Sequence, residues 1–163
     1  MAEATKIQSY HVGIAAEGFA AGFLAHAGYE VLVQYGANQP EYDLVARKEK
    51  RTLSVSVKGT QENGWGLTHS YLNEANYFQA INDWLADQKA VDIFMFVSIH
   101  KVAVGQLPNV WVARPREVAE HLKQCRGGKE TLQCLLIAEF MFVVLPRASV
   151  IKFPTAGGYP RSD

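Results

Sequence analysis

Pro40-Glu41-Tyr42-Asp43-Leu44-Val45-Ala46-Arg47, then Lys48-Glu49-Lys50-Arg51, then Thr52-Leu53-Ser54-Val55-Ser56-Val57-Lys58-Gly59: the reading of this run decides the fold. Leu53, Val55 and Val57 alternate with Ser54, Ser56 and Lys58, the period of two expected of a strand with one buried face. Leu44-Val45-Ala46 is a compact apolar run after Asp43, and the charged tetrapeptide between the two runs is a turn, so they pair as a hairpin. Pairing makes Asp43, where one strand starts, a neighbour of Lys58, where the next one ends. Ser54, Ser56 and Lys58 share the face opposite the Leu/Val side. Taken alone, Asp43 and Lys58 read most simply as a surface ion pair, worth little. What precedes and follows them gives the pair a second reading.

Upstream, residues 9–27 carry Val12, Ala16, Phe19, Ala20, Phe23, Leu24 and Ala27 at three- and four-residue spacing, which predicts a helix with Ser9 as N-cap and Gly28 as its stop. Ala15, Ala16, Ala20 and Ala21 predict close packing on a sheet. Glu17 sits at the edge of the apolar stripe, where a carboxylate reaches either into water or over the sheet. Residues 29–34 predict a short strand with Val31 and Val33 on one side, and Gly36, Asn38 and Pro40 a loop. Downstream, Gly64-Trp65-Gly66 and His69 lie in a polar loop. Ser70 is the expected cap of a second helix over residues 71–87, with Leu72, Ala75, Phe78, Ile81 and Leu85 buried. Ile93-Phe94-Met95-Phe96-Val97 suits a strand buried on both faces. Residues 102–107 form a hairpin or edge segment, residues 110–113 another strand, and Pro115 opens a third helix to residue 124. The order predicts an α/β fold, a mixed central sheet flanked by helices.

The 163 residues are expected to form one domain, with an apolar C-terminal extension over 125–153, containing further strands, and a tail over 154–163. Formal net charge is zero, so no global field draws in nucleic acid or an anionic membrane. The most apolar run, residues 132–145, is interrupted by Gln133 and Glu139 and is shorter than the about 20 residues of a membrane span. With no apolar leader near Glu3 and Lys6, a cytoplasmic location is expected. Cys125 and Cys134 are too few for a metal quartet and read as reduced, buried thiols. His11, His26, His69, His100 and His121 lack zinc spacing, no Gly-Lys-Ser/Thr follows a strand, and Gly-x-Ser-x-Gly is missing.

With Glu17 on the first helix, Asp43 entering the second strand and Ser56-Val57-Lys58 on the third, the chain resembles the PD-(D/E)XK nuclease superfamily. It is nearest the branch of group I intron homing endonucleases. The resemblance covers roughly residues 9–124. It implies a restriction endonuclease-like core, Asp43 and Glu17 as metal-binding acids and Lys58 as the catalytic lysine. Ser56 departs from the pattern, since an acid or an amide usually stands there, and Gln61 is an auxiliary candidate.

The implied function is Mg²⁺-dependent hydrolysis of DNA phosphodiesters, with Mn²⁺ as a substitute. Hard carboxylate oxygens suit Mg²⁺, which keeps several waters. Lys58 would orient the attacking water or neutralise transition-state charge. Weaker nucleic-acid contacts are Trp65 and His69 by stacking, and Lys48, Lys50 and Arg51 by charge. Each has a plain alternative in loop packing or a solvated turn. Ser56 and the zero net charge favour another class, a degenerate nuclease-like domain serving as a nucleic-acid- or protein-binding module. A homodimer through the apolar C-terminal segment is expected by analogy with nucleases that cut both strands.

Overall fold

The computed structural model describes residues 8–33, 42–62, 64–72 and 76–124. The elements are α1 (Ser9–His26), β1 (Glu30–Val33), β2 (Leu44–Lys48), β3 (Arg51–Thr60), a 3₁₀ turn (His69–Tyr71), α2 (Tyr77–Asp87), β4 (Ile93–Ser98), β5 (Asn109–Ala113) and α3 (Pro115–Gln124). The five strands form one sheet in the order β1-β2-β3-β4-β5. β1, β2 and β3 are an antiparallel meander, β4 lies parallel to β3, and β5 returns antiparallel. The parallel step needs a long crossover, and the segment carrying α2 supplies it. The chain is therefore α/β, as its alternating elements predict.

The sheet is covered on both faces. Ala16, Ala20 and Leu24 of α1 pack on Leu44, Ala46, Val55, Val57, Ile93, Met95 and Val97. Ile81 and Trp84 of α2, with Val118 and Leu122 of α3, pack on Phe94, Phe96 and Ala113. All six residues of β4 are buried, since alternate side chains enter the two cores. Phe94 stacks on Trp84 at 5.5 Å and on Phe96 at 5.7 Å between ring centroids.

α1 lies close over the end of β3. A Cβ at Gly59 would stand 2.7 Å from the Ala16 Cβ and 2.9 Å from the Val12 carbonyl oxygen. Only glycine leaves room there. At its other end α1 stops as its sequence predicts: Tyr29 N donates to the Leu24 carbonyl at 3.0 Å and Gly28 N to Ala25 at 2.9 Å, with Gly28 at φ 83°. This is a Schellman closure, and it requires the left-handed glycine.

Several expectations are corrected. Gln8, not Ser9, is the N-cap of α1, and no side chain caps it. α2 begins at Tyr77, where the Asn76 side chain accepts from Gln79 N at 2.8 Å; Ser70 lies instead in the 3₁₀ turn. The buried face of α2 is Ala80, Ile81 and Trp84, while Phe78 is 57% exposed and Leu72 lies at the surface. Residues 102–107 form no strand; they turn through Gly105 at φ 88°, with Gln106 N donating to Ala103 O. The expected C-terminal strands, both cysteines and the dimer-forming segment lie outside the described residues. Among the described residues, no helix is long and apolar enough to cross a membrane.

Gly59→Ala forces α1 off the strand and should destabilise the fold by about 1–3 kcal/mol. Gly18→Ala, whose Cβ would meet nothing within 4 Å, should stabilise it by about 0.5–1 kcal/mol. Urea denaturation of the two variants measures both, and effects of the same sign would overturn the packing argument.

Candidate active site

β2 begins at Leu44, opposite Val55, so among the described residues the last part of β3, from Ser56 to Thr60, pairs with β4 alone. This leaves a notch in the sheet, and Asp43 occupies its corner. Asp43 N still donates to the Val55 carbonyl at 2.9 Å, which fixes the backbone. Its carboxylate then turns to β3. Oδ2 accepts from Val57 N at 2.6 Å and from Ser56 Oγ at 3.2 Å. The side chain thus stands in for the backbone acceptor that β2 no longer provides. Asp43 makes no bond through Oδ1 among the described residues, which leaves that oxygen for a ligand.

Lys58 lies two residues beyond Ser56, so the strand repeat puts both on the α2/α3 face. Its Nζ stands 5.9 Å from the centroid of the Phe94 ring and has neither ion pair nor hydrogen bond among the described residues. Its carbonyl accepts from the indole Nε1 of Trp65 at 2.8 Å. Trp65 is buried, edge-on to Phe96 at 5.1 Å and Trp111 at 5.8 Å. Its ring is therefore a wall behind Lys58 and no stacking platform for a base. This burial matches the loop-packing alternative for Trp65.

Glu17 arrives from the other face, on α1, next to the Ala16 that rests on Gly59. Partial burial pushes its carboxyl pKa above the ordinary 4.5, Asp43 pushes it further in the same direction, and Lys58 draws it back. Both partners therefore lie within electrostatic reach of Glu17. A like charge raises a carboxyl pKa and a cation lowers it only over short range.

The remaining sequence candidates divide. Gln61 belongs to an open depression of about 630 Å³ beside the N-terminal end of α1, with Gln8, Ser9, Val12, Gly59 and Thr60 among its walls. The His100 Nδ1 lies 2.9 Å from the Gln61 carbonyl oxygen. Since that oxygen only accepts, the ring nitrogen carries the proton. Lys48 donates to the Ala27 carbonyl at 2.7 Å and stands over the Tyr29 ring, so it closes the C-terminus of α1. Lys50 and Arg51 lie exposed at the far end of the hairpin, with Arg51 about 23 Å along the strand from Lys58. Their placement separates them from the acid pair. His69 is exposed on the 3₁₀ turn.

Two carboxylates with a serine hydroxyl beside them form a small, hard oxygen set. It suits a cation that retains much of its water, as Mg²⁺ does. Among the described residues no group of three or more His, Cys, Asp and Glu side chains gathers at one point. The two features that sequence reading missed are the Val57 N–H on Asp43 and the Trp65 N–H on Lys58. The first follows from the hairpin register. The second carried only the signal of a tryptophan between two glycines. The chain matches no protein-family model and no curated protein sequence.

Because the folded pKa of Glu17 lies above its ordinary value, its contribution to stability is greatest at low pH and is lost as pH rises from about 4.5 through the folded pKa. Glu17→Gln should therefore gain stability relative to the parent at pH 7 and not at pH 4, measured by urea unfolding without metal. Trp65→Phe leaves the Lys58 carbonyl without its donor and should cost about 1–3 kcal/mol in the same measurement.

Proposed function

We propose that this chain is a PD-(D/E)XK-type endonuclease that hydrolyses DNA phosphodiester bonds with Mg²⁺, on a restriction endonuclease-like core. The observation that carries the reading is the Asp43 carboxylate held on β3 through Oδ2 by Val57 N and Ser56 Oγ, on the strand whose Lys58 ammonium makes neither ion pair nor hydrogen bond among the described residues. A helix-borne acid lies within electrostatic reach of a strand-borne acid and an amine, beside the part of β3 that β2 does not pair among the described residues. The element order supports it too: a helix, a three-strand meander, a helix and a parallel fourth strand.

Each residue has a distinct task in this reading. Glu17 and the Oδ1 of Asp43 would hold one divalent cation, which when bound supplies Lewis-acid stabilisation of the phosphate and a more acidic water. Asp43 keeps its place because Val57 N and Ser56 Oγ hold its other oxygen. Lys58 offers its N–H donors to the phosphate oxygens or to the attacking water, neutralising charge that grows in the transition state. Phe94 below the ammonium supports the cation without competing for its donors. Trp65 fixes the backbone from which Lys58 projects.

A second reading has its own observation. Ser56, where the resemblance puts an acid, is 2% exposed and turned to Asp43. A site with one acid fewer is what a binding module descended from a nuclease would keep.

Supercoiled plasmid and single-stranded DNA, incubated with Mg²⁺ or Mn²⁺, separate the two. The parent should cut, and Lys58→Ala should cut about 10²–10³-fold more slowly. No cutting by the parent selects the binding module, and equal cutting by both proteins defeats the assigned role of Lys58.

A further inference from the structure

β3 carries two serine–aspartate pairs, one at each flank. On the β4 side, Ser54 gives both its backbone N–H and its Oγ to Asp92 Oδ2, each at 2.7 Å. On the β2 side, Ser56 gives its Oγ and Val57 its N–H to Asp43 Oδ2. Both aspartates sit immediately before a strand and continue the ladder with a side chain. The two pairs differ in surroundings. Asp92 is exposed and Ser54 half-buried, whereas Ser56 is buried.

We infer that Ser56 is a positioning residue for the cation-binding carboxylate, and not a ligand in its own right. This rests on the cation reading above and deepens it. A hydroxyl has one proton to give, and that of Ser56 is directed at Asp43. Two donors from adjacent residues on Oδ2, at 2.6 and 3.2 Å, restrain the carboxylate, and Oδ1 takes no bond among the described residues. With Ser56 removed, only the Val57 N–H remains, and one bond leaves the carboxylate free to rotate about it. The serine thus answers the departure from the acid pattern. It exchanges a third charged ligand for a fixed orientation of the second, and the site takes one cation through two carboxylates. A buried acid at position 56 would instead face Asp43 with like charge.

The test uses the full chain and Mn²⁺ alone, with binding read by electron paramagnetic resonance and melting temperature recorded for every variant. The parent should bind Mn²⁺ and Asp43→Asn should not. Ser56→Ala should bind about tenfold more weakly, the scale of losing a partner that orients a metal ligand. Ser56→Thr, which keeps the hydroxyl, should restore most of that affinity. Ser54→Ala removes the twin bond to Asp92 and should leave Mn²⁺ affinity within about twofold of the parent. If the threonine methyl prevents folding, Ser56→Ala against Ser54→Ala decides alone. Parent-like binding by Ser56→Ala, or equal losses in the two alanine variants, overturns the inference while the cation site stands. A parent that does not bind Mn²⁺, or an Asp43→Asn that binds as the parent does, overturns the cation reading and this inference with it.

Discussion

The close contact between α1 and the end of β3 is the constraint on which everything else rests. Gly59 meets Ala16 and the Val12 backbone at distances that no larger residue allows. Because the helix lies that low, Ala16, Ala20 and Leu24 reach the sheet and close one core. The same descent brings Glu17 to the edge of the strand that bears Lys58. Packing and chemistry are therefore tied to one missing methyl group. A helix held higher by a single Cβ would keep its secondary structure and lose both its tight seam and its place beside Asp43.

The second constraint is where β2 begins. A sheet edge inside a protein leaves backbone donors that need acceptors. Asp43 meets that need for Val57, as Asp92 does at the other flank for Ser54. The aspartate at the notch therefore has a structural task whatever else it does. What sets it apart from Asp92 is its company: an acid whose protonation it alters and an amine without a counter-ion among the described residues.

Much of this was legible in the chain. The alternation of Leu53, Val55 and Val57 is visible because one face of β3 lies wholly under α1, and the unbroken run from Ile93 to Val97 is visible because β4 feeds two cores. Gly28 marks the end of α1 because no other residue relaxes so readily into its backbone angle. The start of α2 was not legible. Ser70 and Asn76 are both good caps, and Leu72 and Phe78 fit a helical stripe. The choice is made by Ile81 and Trp84 packing against the second core, a tertiary fact. Trp65 was equally open, since a loop tryptophan reads alike whether it stacks on a ligand or on Phe96. Glu17, Asp43 and Lys58 could be named from the sequence, but their separate faces could not. Strand alternation sets Lys58 opposite Val55 and Val57, and it is the packing of α1 on those valines, a tertiary fact, that brings Glu17 to the other side.

One consequence lies in how unequally the parts are anchored. Asp43, Ser56 and Lys58 belong to the strand framework, stitched by ladder bonds and backed by Trp65. Glu17 belongs to a helix that, among the described residues, covers its face of the sheet without a neighbouring helix. Detaching that helix would bare Leu44, Val55, Val57 and Met95 to water, so the position of Glu17 is secured by the same burial that holds one face of the sheet together.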